Sequence, residues 1–138
     1  MMNFNELRNF IIDNIEEATN MQFCTKAKGS RKTETAVFLV EKPETYTLTN
    51  NRMIIIKWRE ISGGKTVRRF VVETWIYAKE IKDVITIKDA LTNMLDFYNR
   101  PCEITRFKKF TLSNEGGIYY DDKKQLYVDK LFFECRLV

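Results

Sequence analysis

The chain has no histidine, and only five glycines and two prolines among its 138 residues. Without histidine, the commonest general base is missing. With so little glycine and proline, a long linker or disordered tail has little to be built from. Cysteine is scarce as well. Cys24, Cys102 and Cys135 are odd in number, far apart and without a CxxC spacing. That pattern argues against a disulfide framework and against a zinc site, and predicts three reduced, mostly buried thiols. Long apolar runs are also absent. A run such as Met53 to Ile56 falls far short of the roughly 20 residues that span a bilayer. No signal-peptide pattern opens the chain, so the expectation is a soluble intracellular protein with no membrane partner. Neither sign of charge dominates: 23 Lys and Arg against 19 Asp and Glu leave +4. That suits solubility and is too small to require nucleic acid.

What is present suits a core. Hydrophobic residues make up 44% of the chain and aromatics 13%, ample for one domain over residues 1–138. Phe4, Leu7, Ile11, Ile15 and Ala18 recur at helical spacing, with Asn3 and Glu6 as a capping-box variant. Periodicity then fails from Thr19 to Thr35. There Lys26, Lys28, Arg31 and Lys32 surround Gly29 and Ser30, which predicts a basic loop. Ala36–Val40 is a short apolar strand, and Glu44–Arg52 a polar loop. Met53–Ile61 and Val67–Lys79 are strands joined by a turn at Ser62-Gly63-Gly64-Lys65. Thr86 is a plausible N-cap for a second helix through Ile87, Leu91 and Leu95, which Pro101 cannot let continue. Ile104–Leu112 and Leu126–Val138 close the pattern as strands.

This order predicts an α+β fold: a mainly antiparallel sheet, two helices packed on one face, and the C-terminal strand inside the sheet. Val67–Lys79 carries apolar groups on both sides, Phe70, Val72 and Ile76 against Val71, Trp75 and Tyr77. One helix layer buries one side only, so Trp75 and Tyr77 are expected on an exposed face, as interface anchors. The alternative is a hairpin folding back over that face and burying both rings.

The chemistry-bearing motifs are weak. Gly63-Gly64-Lys65-Thr66 lacks the first glycine of a phosphate loop, since Arg59 occupies that place, and it joins strands where the motif should open a helix. Asp121-Asp122 offers two carboxylates, followed at once by Lys123 and Lys124, too few converging oxygens for a hard cation. Cys24 is the one thiol in an electropositive stretch, with no base spaced to activate it. No catalytic residue, metal site or cofactor is expected. For nucleic acid, Arg106, Lys108 and Lys109 interleave with Phe107 and Phe110. Strand parity sets those two rings on opposite faces and denies them a shared stacking platform, so binding is expected to be weak or absent.

The element order, with Phe70-Val71-Val72-Glu73-Thr74-Trp75-Ile76-Tyr77 leading into Ile87–Leu95, and Tyr119-Tyr120-Asp121-Asp122 followed by Leu131–Val138, resembles the tail terminator, or tail completion, proteins of long-tailed bacteriophages. The resemblance covers nearly the whole chain by pattern, without a diagnostic motif. It implies a non-catalytic subunit of a ring, typically hexameric, that caps the tail tube and joins it to the head or connector. The implied partners are copies of itself, the tail tube protein and the head–tail connector protein. The implied location is the virion tail, assembled in the host bacterial cytoplasm. On that reading the basic residues Lys26, Lys28, Arg31 and Lys32 would contact tube or connector. The alternative function is a small nucleic-acid-binding or host-interfering module.

Overall fold

The computed structural model describes residues 4–63 and 68–137. Helix α1 spans Asn5–Thr19 and buries Leu7, Ile11, Ile15 and Thr19, a single stripe at four-residue spacing. It ends at Asn20 in the left-handed conformation (φ 54°), a common helix stop for asparagine. Phe4 occupies the N-cap position with no side-chain cap bond; the expected cap, Asn3, lies outside the described residues. Ala18, expected in the buried stripe, is exposed, and Thr19 takes its place. There the Thr19 hydroxyl donates to the Ile15 carbonyl at 2.7 Å.

The main sheet contains β3 (Val37–Leu39), β5 (Arg52–Gly63), β6 (Arg68–Ala78), β9 (Leu126–Leu137) and β7 (Phe107–Glu115) in that spatial order, with β8 (Tyr119–Asp121) also paired to β9. All pairings are antiparallel except β3 with β5. β9 lies between β6 on one side and β7 with β8 on the other, so the closing strand is central. The expected α+β fold, with its mainly antiparallel sheet, is the one observed. Gly64 and Lys65 of the expected β5–β6 turn lie outside the described residues, and Gly63 belongs to β5.

One face of the sheet meets the helices. From β6 it presents Phe70, Val72, Thr74, Ile76 and Ala78, all buried. Across the ladder, Leu131, Phe133 and Cys135 of β9 and Phe110 of β7 lie on the same face, also buried. Helix α2 (Ile81–Leu95) packs here through Val84, Ile87, Leu91 and Leu95. It starts at Ile81, ahead of the expected Thr86 cap. Val84 sets the first step of the stripe, and Thr86 returns its hydroxyl to the Lys82 carbonyl instead of capping. A buried ion pair joins the layers: Lys88 Nζ on α2 lies 3.0 Å from Asp129 Oδ2 on β9.

The two expected loops, 19–35 and 44–52, contain strands. β1 (Cys24–Ala27), β2 (Glu34–Thr35) and β4 (Tyr46–Leu48) form a second, three-stranded sheet in the order β2-β1-β4. Strands of two to four residues rich in Thr, Lys and Glu are too short to display an alternating pattern. Their pairing shows only in three dimensions.

Val40, just after β3, has φ 72° and is 55% exposed. A β-branched residue in this region is an outlier, costing roughly 1–2 kcal/mol. Val40→Asn keeps the backbone and removes the β-branch, with little burial to lose. It is expected to stabilise the protein by about 0.5–1 kcal/mol, read as a higher midpoint in chemical denaturation. An unchanged or lower midpoint contradicts strain at this position.

Candidate interaction surface

The second face of the main sheet carries no helix. Its rows follow from the register. Met53, Tyr77, Val128 and Tyr119 form one cross-strand row; Ile55, Trp75 and Lys130 the next; Lys57, Glu73, Phe132 and Asn114 the third. Arg59, Val71, Glu134 and Thr111 follow, and then Arg69, Arg136 and Lys109. Chemistry changes along this face from aromatic at one end to cationic at the other.

At the aromatic end, Met53, Tyr77 and Val128 are buried. Tyr77 is only 3% exposed, and burial pushes its hydroxyl well above the usual tyrosine range. The expectation of Tyr77 as an exposed anchor is therefore corrected. Lys124 reaches over its ring at 5.6 Å, and Tyr119 and Asp121 of β8 lie near enough to act on its hydroxyl electrostatically. The hairpin of the alternative would bury both rings; here Tyr77 is buried, Trp75 is half-buried, and β8 lies within the sheet beside β9. Tyr119 and Tyr120 on β8 are instead the exposed rings, at 46% and 47%. Their sequence signal, two adjacent tyrosines before the acidic turn, was visible, but alternation cannot tell an edge strand's outer face from its inner one.

Trp75 is half-buried, at the centre of the face. Lys57 Nζ and Lys130 Nζ lie 3.9 and 3.7 Å from its ring centroid, and Tyr77 stacks beside it. Its indole N–H donates to Glu73 Oε1 at 3.2 Å. Two ammonium groups over one ring repel each other; the ring quadrupole and the Glu73 carboxylate offset this. The lysine stems and head groups thus occupy the ring surface a ligand would otherwise stack on.

The cationic end is more open. Arg59, Arg69, Lys109 and Arg136 are all exposed, and the one carboxylate near them in the ladder, Glu134, sits 4.0 Å from Arg69. Among the described residues, Arg59, Lys109 and Arg136 have no ion-pair partner. Lys109 faces this side by ordinary alternation with Phe110, and a β-bulge lies just before it: Phe107 pairs with Leu137 and Lys109 with Arg136, leaving Lys108 as the extra residue. The same bulge corrects the parity argument. Phe107 and Phe110 share the core face, with ring centroids 5.4 Å apart. Both are buried at 5% or less, so they still offer no stacking platform.

The expected basic loop is the hairpin between β1 and β2. Lys26 stands on β1, Gly29 turns the tip at φ 81°, and Lys26, Lys28, Arg31 and Lys32 are all exposed. These four belong to the small sheet and Trp75 to the main one, so the structure does not bring the two sets together. Burial raises the pKa of Cys102 and pushes that of Cys135 up to about 12, keeping both thiols protonated at neutral pH. Cys24 is half-buried on β1. Among the described residues no group of three His, Cys, Asp or Glu side chains could hold a metal ion, and no helix is long and apolar enough to cross a membrane.

No protein-family profile and no curated protein matches the chain. Among solved structures it is similar to a chain of the "Virion of native gene transfer agent (GTA) particle", at 16% identity. The alignment covers 75% of this chain and 78% of that one, with a TM-score of 0.49. This is a likeness of general outline.

Proposed function

We propose that this chain is a non-catalytic structural subunit of a phage or phage-like tail, a ring-forming terminator that caps the tail tube and joins it to the head or connector. The observation that carries the reading is the helix-free face of the main sheet, buried at one end and open at the other. Helices cover one side only, while the other runs from a buried row edged by the exposed Tyr119 to exposed cations. A protomer in a closed heterologous ring needs different surfaces for its two neighbours, and this fold has one helical and one sheet surface. The element order behind the sequence resemblance, with its closing strand inside the sheet, supports the same reading. On it, Trp75 and the rim of β8 meet one partner. The basic tip with Lys26, Lys28, Arg31 and Lys32 meets tube or connector protein, and assembly takes place in the bacterial cytoplasm.

An antibody raised against the purified chain is expected to label tailed particles from the source cell at a single point, where tail meets head. Labelling along the whole tube, or none on particles containing the other tail proteins, contradicts the terminator role. The cation row alone favours a second reading, a small nucleic-acid-binding or host-interfering module.

A further inference from the structure

The cationic end of the open sheet face has a counterpart on the opposite layer. A groove of about 470 Å³ runs between α1 and α2, with Phe10, Glu17, Met94 and Glu103 in its walls. Beside it lies a second hollow bordered by Glu6, Asp13 and Glu103. The cations of this region are engaged. Arg106 Nε lies 3.6 Å from Glu6. Arg100 donates to the Asn93 and Met94 carbonyls at the end of α2 and covers the Phe97 ring. Among the described residues, Asp13, Glu17 and Glu103 have no ion-pair partner, and all three are exposed.

On the sheet side, Arg69, Arg136 and Lys109 occupy one row across three adjacent strands. At the normal strand spacing the row is about 10 Å long. Like charges directly opposite in a ladder are destabilising, so this row gains from an anionic surface laid against it. The chain carries such a surface on its other side, with apolar Phe10 and Met94 in the groove floor to bury.

We propose that the Arg69–Arg136–Lys109 row of one copy docks on the Glu17–Glu103 groove of a second copy, head to tail. The contact rests on the reading of the chain as an assembling subunit and names the two surfaces that meet. A second copy is favoured over nucleic acid because no free ring lies beside the cation row: the exposed Tyr119 stands in the row at the opposite end of the face. Trp75 is covered by Lys57 and Lys130, and Phe107 and Phe110 are in the core. Electrostatics then set both the affinity and its salt dependence.

The test reverses each surface separately, with exposed residues that leave the core untouched. One variant carries Lys109→Glu and Arg136→Glu, the other Glu17→Lys and Glu103→Lys. Circular dichroism confirms that each is folded. Sedimentation velocity at low salt is expected to show association of the natural chain and at least a tenfold weakening in each variant alone. An equimolar mixture of the two is expected to regain association, because each reversed surface now meets its complement on the other chain. Natural chain that stays monomeric at every concentration overturns the proposal. So do variants that associate as well as the natural chain, or a mixture that fails to recover. A short single-stranded DNA oligonucleotide bound tightly by the natural chain and lost in the Lys109→Glu, Arg136→Glu variant also overturns it, in favour of nucleic acid. Antibody labelling of particles is unaffected by these outcomes, so failure of this contact and failure of the tail reading are separately visible.

Discussion

Removing residues 131–138 is expected to abolish cooperative folding. β9 is central, hydrogen-bonded to β6 and to β7, so the truncation strips two ladders at once. It also takes Leu131 and Phe133, each 0% exposed, and Cys135 at 2% out of the core. Burying a Leu or Phe side chain is worth roughly 1.5–3 kcal/mol, and the cavity left behind adds to the loss. Val72, opposite Phe133 in the ladder, and Phe110, whose ring packs against it, would face a void. Against a total stability of about 5–15 kcal/mol, the remaining chain has too little left. Thermal denaturation followed by far-ultraviolet circular dichroism is expected to give no sigmoidal transition. A truncated chain that melts cooperatively near the full-length midpoint places β9 outside the sheet.

The second large effect comes from the ion pair between the layers. Lys88 and Asp129 are unequal partners: the lysine side chain keeps 20% of its exposure, the aspartate side chain 1%. If Asp129 loses its charge, Lys88 can turn its ammonium group toward water along a flexible stem. If Lys88 goes, the Asp129 carboxylate stays in the core, where among the described residues the Lys130 backbone N–H donates to it, at 2.7 Å. Breaking a buried pair in that way costs about 3–5 kcal/mol. Lys88→Met is therefore expected to lower stability by about that amount, and Asp129→Asn by clearly less. Adding Asp129→Asn to Lys88→Met should recover most of the loss, because no charge is stranded. Urea denaturation of the three variants measures this. Equal losses in the two single variants, or no recovery in the double, mean that the pair does not hold α2 to the sheet.

Much of the fold was legible because long elements repeat their signal. Four or five apolar residues at helical spacing fixed α1, and the unbroken alternation of Leu131, Phe133 and Cys135 fixed the inward face of β9. α2 was found, though placed late, because a threonine resembles a cap whether or not its hydroxyl reaches an N–H. The small sheet could not be read: each of its strands is too short for a period to show. The bulge at Lys108 was hidden for a related reason. One extra residue reverses the facing of everything before it, and no residue type announces it. That slip hid the place of Phe107, which joins Phe110 on the core face only because of the shift. The fate of Tyr77 was open for a different cause. Its strand pattern defines a face, but whether a neighbouring hairpin covers that face is decided by contacts distant in sequence.

The central claim is that the helix-free sheet face meets a neighbouring subunit. Sedimentation velocity of the natural chain over a wide concentration range, at low and at high salt, tests it most directly. The expected result is a concentration-dependent rise in sedimentation coefficient at low salt that recedes as salt screens the cation row. A single monomeric boundary at every concentration and salt would contradict it.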